Sequence, residues 1–152
     1  MERTKVVVHY LDGKLTKGYT LDFYPNKDRF HITLFDKPRD APIEVAVNQL
    51  KAVFVVKDFR GNPQYIERKG YTPGETPYGA QLEVTFGDGE IVVGACMGFD
   101  VKRQGFFITP VDPKGNNLRA FVVMSSVRRL RQFAANNKEY VEVPLPPVRR
   151  TA

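Results

Sequence analysis

Few residues in this 152-residue chain are of types that do chemistry, and their spacing points to turns more than to reactions. The two histidines, His9 and His31, each interrupt an alternating apolar stretch out of phase with its core residues, so both are expected to face away from the core. Two imidazoles make no three-ligand metal set. Cys96 is the single cysteine, which excludes an intramolecular disulfide framework and reads as a buried or interfacial thiol in a reducing cytosol. Gly87-Asp88-Gly89-Glu90 lacks the Gly-Lys-Ser/Thr ending of a phosphate loop and reads as a hairpin turn. Asp12, Asp36, Asp88 and Asp112 recur at matched loop positions, the pattern of turn geometry rather than of an acid/base pair. Neither an enzyme nor a cofactor is expected.

Those matched positions belong to a repeat. Residues Lys5 to Asp36 lie on Gln81 to Asp112 without a gap at an offset of 76, and nine of the 32 pairs are identical, against roughly two expected from composition. The shared residues are Val8/Val84, Asp12/Asp88, Gly13/Gly89, Gly18/Gly94, Phe23/Phe99, Phe30/Phe106, Ile32/Ile108, Thr33/Thr109 and Asp36/Asp112.

Each copy reads as five short strands. Val6, Val8 and Tyr10 alternate at period two, as do Leu82, Val84 and Phe86, and an Asp-Gly hairpin signal follows each run. The second strand is expected to turn Leu15, Tyr19, Leu21 and Phe23 to one face, with Ile91, Ala95, Met97 and Phe99 as counterparts. Gly18 and Gly94 inside it signal a bend. A third strand runs through Phe30, Ile32 and Leu34 or Phe106 and Ile108, and a fourth from Ile43 to Val47 or Leu118 to Met124. A single helical turn and a fifth strand, Ala52 to Val56 or Arg128 to Phe133, complete each copy, with the offset grown to 77. The expected fold is all-β: two tandem, strongly curved, five-stranded small barrels over residues 4–59 and 80–134, packed on each other.

This order of strands, with its Asp-Gly turn, its Gly18 or Gly94 and its apolar third strand, resembles the Sm-like and related small-barrel folds. The second strand lacks the Asp followed by Met-Asn that Sm proteins carry, which limits what the resemblance implies about RNA contacts. The chain is also similar to an uncharacterised bacterial family sharing segments such as Asp88-Gly89-Glu90, Gly105-Phe106-Phe107 and Asp112-Pro113 through Asn116-Asn117, a likeness that implies no activity.

The net charge of +6 arises from 23 bases and 17 acids, with 13 and 10 in residues 1–80 and 10 and 7 in residues 81–152, so neither half is strongly basic. No apolar run approaches the 18 or so residues of a membrane span, and no signal-peptide pattern opens the chain, so a cytoplasmic location is expected. Residues 60–79 form a Gly/Pro-rich linker or ordered loop with Tyr65, Tyr71 and Tyr78 as anchors. Beyond it, 135–152 is a C-terminal extension with a short alternating strand from Tyr140 to Val143 and a proline-rich end that either docks in a groove or is disordered.

Differences between the copies locate candidate partners. The face of the second strand expected to point outward reads Thr16, Thr20 and Asp22 in one copy and Val92, Cys96 and Gly98 in the other, and His31 is matched by Phe107. Val92, Cys96 and Phe107, with Phe54 from the two-sided apolar run Ala52 to Val56, are therefore candidate interface residues for a protein partner, for self-association, or for the packing of one barrel on the other. The leading function is a non-catalytic adaptor or regulatory module working through protein contacts. The competing one is binding of single-stranded nucleic acid or a nucleotide, with Lys102, Arg103, Arg128, Arg129 and Arg131 as the candidate surface beside Phe106 and Phe107.

Overall fold

The computed structural model describes residues 3–61, 64–66, 68, 70–71, 75, 79–134 and 138–147. It is all-β: β1 Thr4–Tyr10, β2 Leu15–Thr20, β3 Arg29–Leu34, β4 Ile43–Ala46, β5 Leu50–Val56, β6 Ala80–Phe86, β7 Ile91–Cys96, β8 Gly105–Pro110, β9 Asn117–Val123, β10 Val127–Ala134 and β11 Glu139–Glu142. Single 3-10 turns at Val47–Gln49 and Met124–Ser126 stand where one helical turn is expected before each fifth strand. The all-β expectation holds, but the two small barrels expected to pack on each other are corrected to one sheet. All eleven strands belong to one open antiparallel sheet in the order β11-β10-β6-β7-β8-β9-β5-β1-β2-β3-β4.

Within that sheet the pairing of β1–β5 recurs in β6–β10. Val6 opposite Gly18 becomes Leu82 opposite Gly94, and Arg29 opposite Ala46 becomes Gly105 opposite Val123, so the offset passes from 76 to 77 between the third and fourth strands. Even the irregularities match. Lys51 is skipped in the β1–β5 ladder and Arg128 in the β6–β10 ladder, each the extra residue of a bulge that sharpens strand twist. The Asp-Gly hairpins are as read from the sequence, with Gly13 at φ 91° and Gly89 at φ 92°. Asp12, Asp88 and Asp112 each accept the backbone N–H two residues on, at 2.9 to 3.0 Å, which is turn chemistry.

The facing of the second strands is the reverse of the expectation. Residues opposite each other on antiparallel strands share a face, so core residues Val6 and Val8 put Gly18 and Thr16 inside, while Leu15 and Leu21 stand 53% and 56% exposed. Thr20 is 5% exposed; in the second half Cys96 is buried and Met97 is 70% exposed. The reason is curvature. A Cβ at Gly18 would lie 2.3 Å from the Thr33 carbonyl oxygen, and one at Gly94 would lie 2.2 Å from that of Thr109. Small residues line the inside of the bend, and bulk is tolerated only on its convex side. Phe23, expected on β2, lies beyond its end and folds back onto Phe30, with ring centroids 4.9 Å apart.

Two cores result, and the central strands feed both. Val6, Val8, Phe30, Ile32, Val45, Leu50, Val53 and Val55 make the first, completed by Phe121 and Val123 reaching in from β9. Leu82, Val84, Phe86, Cys96, Ile108 and Leu130 make the second, joined by Val7, Ala52, Phe54 and Val56 from the opposite faces of β1 and β5. Hence the two-sided apolar run Ala52 to Val56: β5 lies between two interiors. In the connection between halves, the Tyr65 hydroxyl and the Arg68 backbone N–H both donate to Asp112 Oδ2, so this stretch is anchored to the second half. Those bonds hold the buried Asp112 carboxyl down at about 2. Tyr71 is half-buried, which raises its hydroxyl; Tyr78 lies outside the described residues, as do Ala135 to Asn137 and Arg149-Arg150. Among the described residues no helix is long and apolar enough to cross a membrane.

Candidate strand-docking site

The sheet has two ends, and they differ. At one end β4 has β3 on its inner side and, among the described residues, no strand on its outer side; at the other, β10 is covered by β11. β4 is short because Pro42 precedes it and the turn Val47–Gln49 carries the chain directly into β5. Val45 points into the first core, and Glu44, opposite His31, points out. Around Glu44 the outer face of β3 and β4 is ionic. Arg29 donates to Glu44 at 2.5 Å, and the His31 ring and Asp22 meet at 2.7 Å. Partial burial works to raise the Asp22 carboxyl, but hydrogen bonds from the His31 ring, the His31 backbone N–H and the Thr20 hydroxyl outweigh it and leave it below the usual carboxylate range.

What this edge lacks is visible in its counterpart. At the 77-residue offset Ile43–Ala46 corresponds to Ala120–Val123, and there β5 lies alongside, with Ala52 opposite Val122, Val53 opposite Phe121 and Phe54 opposite Ala120. The contact is reinforced by Lys51, whose ammonium reaches Asp88 at 2.7 Å and Glu90 at 3.1 Å over the Phe86 ring, and by Ser126 Oγ donating to the Lys51 carbonyl at 2.8 Å. Phe121, wholly buried in that contact, has Glu44 as its match on β4.

A family model described as a family of unknown function, DUF6982, matches residues 2–134. The chain belongs to the DUF6982 family. No curated protein and no solved structure matches it. The matched region ends with β10, so β11 and the proline-bearing stretch after it lie outside it.

In this DUF6982 member the four candidate interface residues are turned inward. Val92, Cys96 and Phe54 pack in or against the second core, which corrects the outward facing expected of Val92 and Cys96; Phe107 packs with Phe121 and Phe23 at the first, at centroid distances of 5.2 and 5.9 Å. Val92 and Phe54 also line a half-open cavity of about 270 Å³ between the halves, with His9, Lys17 and Arg60 at its polar side. Burial against Phe54 and the nearby Lys51 cation lower the His9 pKa. Burial pushes the Cys96 thiol up to about 11, far from a nucleophile's range.

The candidate basic residues do not act alike. Arg129 is ion-paired with Glu142, and Arg131 with Glu83 at 2.5 Å, so neither offers free charge to a phosphate. Arg128 is exposed at its bulge. Lys102 and Arg103 are exposed on the turn before β8, and Gln104 ties that turn to the matching turn of the first half by donating to the carbonyls of Pro25 and Lys27 at 2.8 and 2.7 Å. Sequence reasoning missed the β4 edge. The signal was present in the alignment: of the matched fourth strands, one carries Phe121 and the other Glu44.

Proposed function

We propose that this DUF6982 member is a non-catalytic adaptor that captures an extended segment of a partner protein along the outer edge of β4. The observation that carries this reading is the difference between matched strands: β9 is closed on its outer side by β5, and no strand among the described residues lies on the outer side of β4. Unpaired N–H and C=O groups along an edge accept an incoming strand through main-chain hydrogen bonds worth about 0.5–1.5 kcal/mol each, and alternating side chains choose the strand. Here Glu44 chooses. Arg29 takes one oxygen of its half-exposed carboxylate in a surface ion pair, the acceptor sites left favour a basic residue opposite it, and two β4 edges paired about Glu44 would set like charges together, which disfavours self-pairing. In this reading each half is a five-stranded unit of the Sm-like kind, the two are joined head to tail, and one edge is left for a partner in the cytosol.

The test uses a synthetic peptide with the sequence of β5, Leu50–Val56, carrying lysine in place of Val53, because position 53 lies opposite the match of Glu44. It is expected to bind the full chain and to lose at least tenfold in affinity for Glu44→Lys, while a Val53→Glu peptide prefers that variant. Glu44 is half exposed and its ion pair lies at the surface, so the fold tolerates the swap. Binding indifferent to both charge swaps refutes the proposal.

A second reading rests on the joined turns. Lys27, Lys102 and Arg103, with the Lys27 ammonium 4.9 Å from the Tyr24 ring, supply charge and a stacking surface of the kind that holds single-stranded nucleic acid. Its test is affinity for a labelled mixed-sequence RNA that falls with salt and falls again in Lys102→Glu. Absent or salt-insensitive binding removes it.

A further inference from the structure

We infer that the outer edge of β10 is a second strand-acceptor site, occupied in cis by the chain's own C-terminal arm and open in trans to an extended peptide that repeats the arm's order of aromatic, acidic and apolar residues. This stands independently of the β4 reading, on a register match. β10 corresponds to β5 at the 77-residue offset, and β11 lies on β10 where β9 lies on β5. Val53 faces Phe121; its counterpart Leu130 faces Val143, whose N–H donates to the Leu130 carbonyl at 2.8 Å. Val143 and Leu145 then pack against the second core as Phe121 and Val123 pack in the first. The arm is thus a stand-in for a fourth strand.

Its side chains define what the edge recognises. Arg129 Nε donates to Glu142 at 2.6 Å. The Arg131 guanidinium sits 5.1 Å from the Tyr140 ring centroid, Phe133 meets that ring edge-on at 5.4 Å, and Gln81 donates to the Tyr140 hydroxyl at 3.1 Å. The acceptor therefore fits an aromatic residue, a carboxylate two residues on, an apolar residue next and another two beyond it, as in Tyr140-Val141-Glu142-Val143-Pro144-Leu145. β9 is held in place by β8 as well as β5, whereas β11 pairs, among the described residues, with β10 alone. The turn leading into β11 contains Lys138 at φ 57°, the one left-handed residue other than glycine among the described residues. Such a singly paired end strand opens locally at a fraction of the cost of global unfolding.

The experiment titrates a fluorescently labelled peptide of residues 138–147 into the full chain. The tethered arm competes at an effective concentration on the order of millimolar, so the wild-type chain binds weakly. Val143→Asp, which weakens the tethered arm, is expected to tighten peptide binding at least tenfold. Adding Arg129→Glu should reverse that gain, a peptide with arginine in place of Glu142 should recover it, and Glu44→Lys should leave it unchanged. If Val143→Asp loses native circular dichroism, Glu142→Ala, which breaks only a surface ion pair, replaces it with an expected gain of about threefold. A folded arm-weakened chain that binds no more tightly than wild type overturns the inference, and so does peptide binding abolished by Glu44→Lys.

Discussion

Truncating Phe121 to alanine should destabilise the half of the chain in which Phe121 does not lie in sequence. The ring is wholly buried in the first core, although it is carried by β9. Removing a buried phenylalanine forfeits roughly 2–3 kcal/mol of apolar transfer. It also removes edge-on contacts to Phe23 at 5.1 Å and Phe107 at 5.2 Å, each worth about 0.5–1.5 kcal/mol. The sum, about 3–6 kcal/mol, spans the usual cost of truncating a buried phenylalanine. Leu21→Ala, at a side chain 56% exposed, is the control and should cost under about 0.5 kcal/mol. Urea denaturation gives the stability change, and hydrogen exchange gives its location: amides of β1, β3 and β4 should lose protection in Phe121→Ala along with those of β9. A loss below about 1 kcal/mol, or unchanged exchange in β1, β3 and β4, would refute the shared-core account.

Gly94→Ala should cost more than about 2 kcal/mol, read from its chemical midpoint, because the new Cβ would lie 2.2 Å from a backbone oxygen that cannot swing away. The His9 contribution to stability should be flat above about pH 7 and fall as pH drops through 6.5, since the unfolded chain takes up a proton that His9, its pKa lowered by burial, resists; His9→Gln should flatten the thermal-melt profile over pH 5–7. Cys96, its thiol raised to about 11, should react with iodoacetamide at pH 8 at least tenfold more slowly in the folded chain than in urea.

Much of the fold was legible because the strand pairing of β1–β5 recurs in β6–β10 with matched residues. The Asp-Gly turns, the glycine bends, the helical turn before each fifth strand and the step from 76 to 77 all follow from comparing the copies, and each has a local cause in turn chemistry or strand twist. Two things were not local. The facing of β2 and β7 was misread because the large apolar residues Leu15, Leu21 and Met97 suggested a core side, whereas the curvature demanded by Gly18 and Gly94 leaves room inside only for small residues. The joining of the halves depends on β5 pairing with β9 across 60-odd residues, a choice no periodicity reveals. Its trace is the apolar character of Ala52 to Val56 on both faces. The candidate edge was legible only afterwards, once Glu44 was seen to stand where its counterpart strand buries Phe121.

The central claim, that the β4 edge takes up a partner strand, is tested most directly by hydrogen exchange on the full chain with and without the lysine-bearing β5 peptide. New protection is expected at the backbone amides of Ile43–Ala46, with those of Asn117–Val123 unchanged. Protection gained elsewhere while Ile43–Ala46 exchange as before, or no protection at saturating peptide, would contradict it.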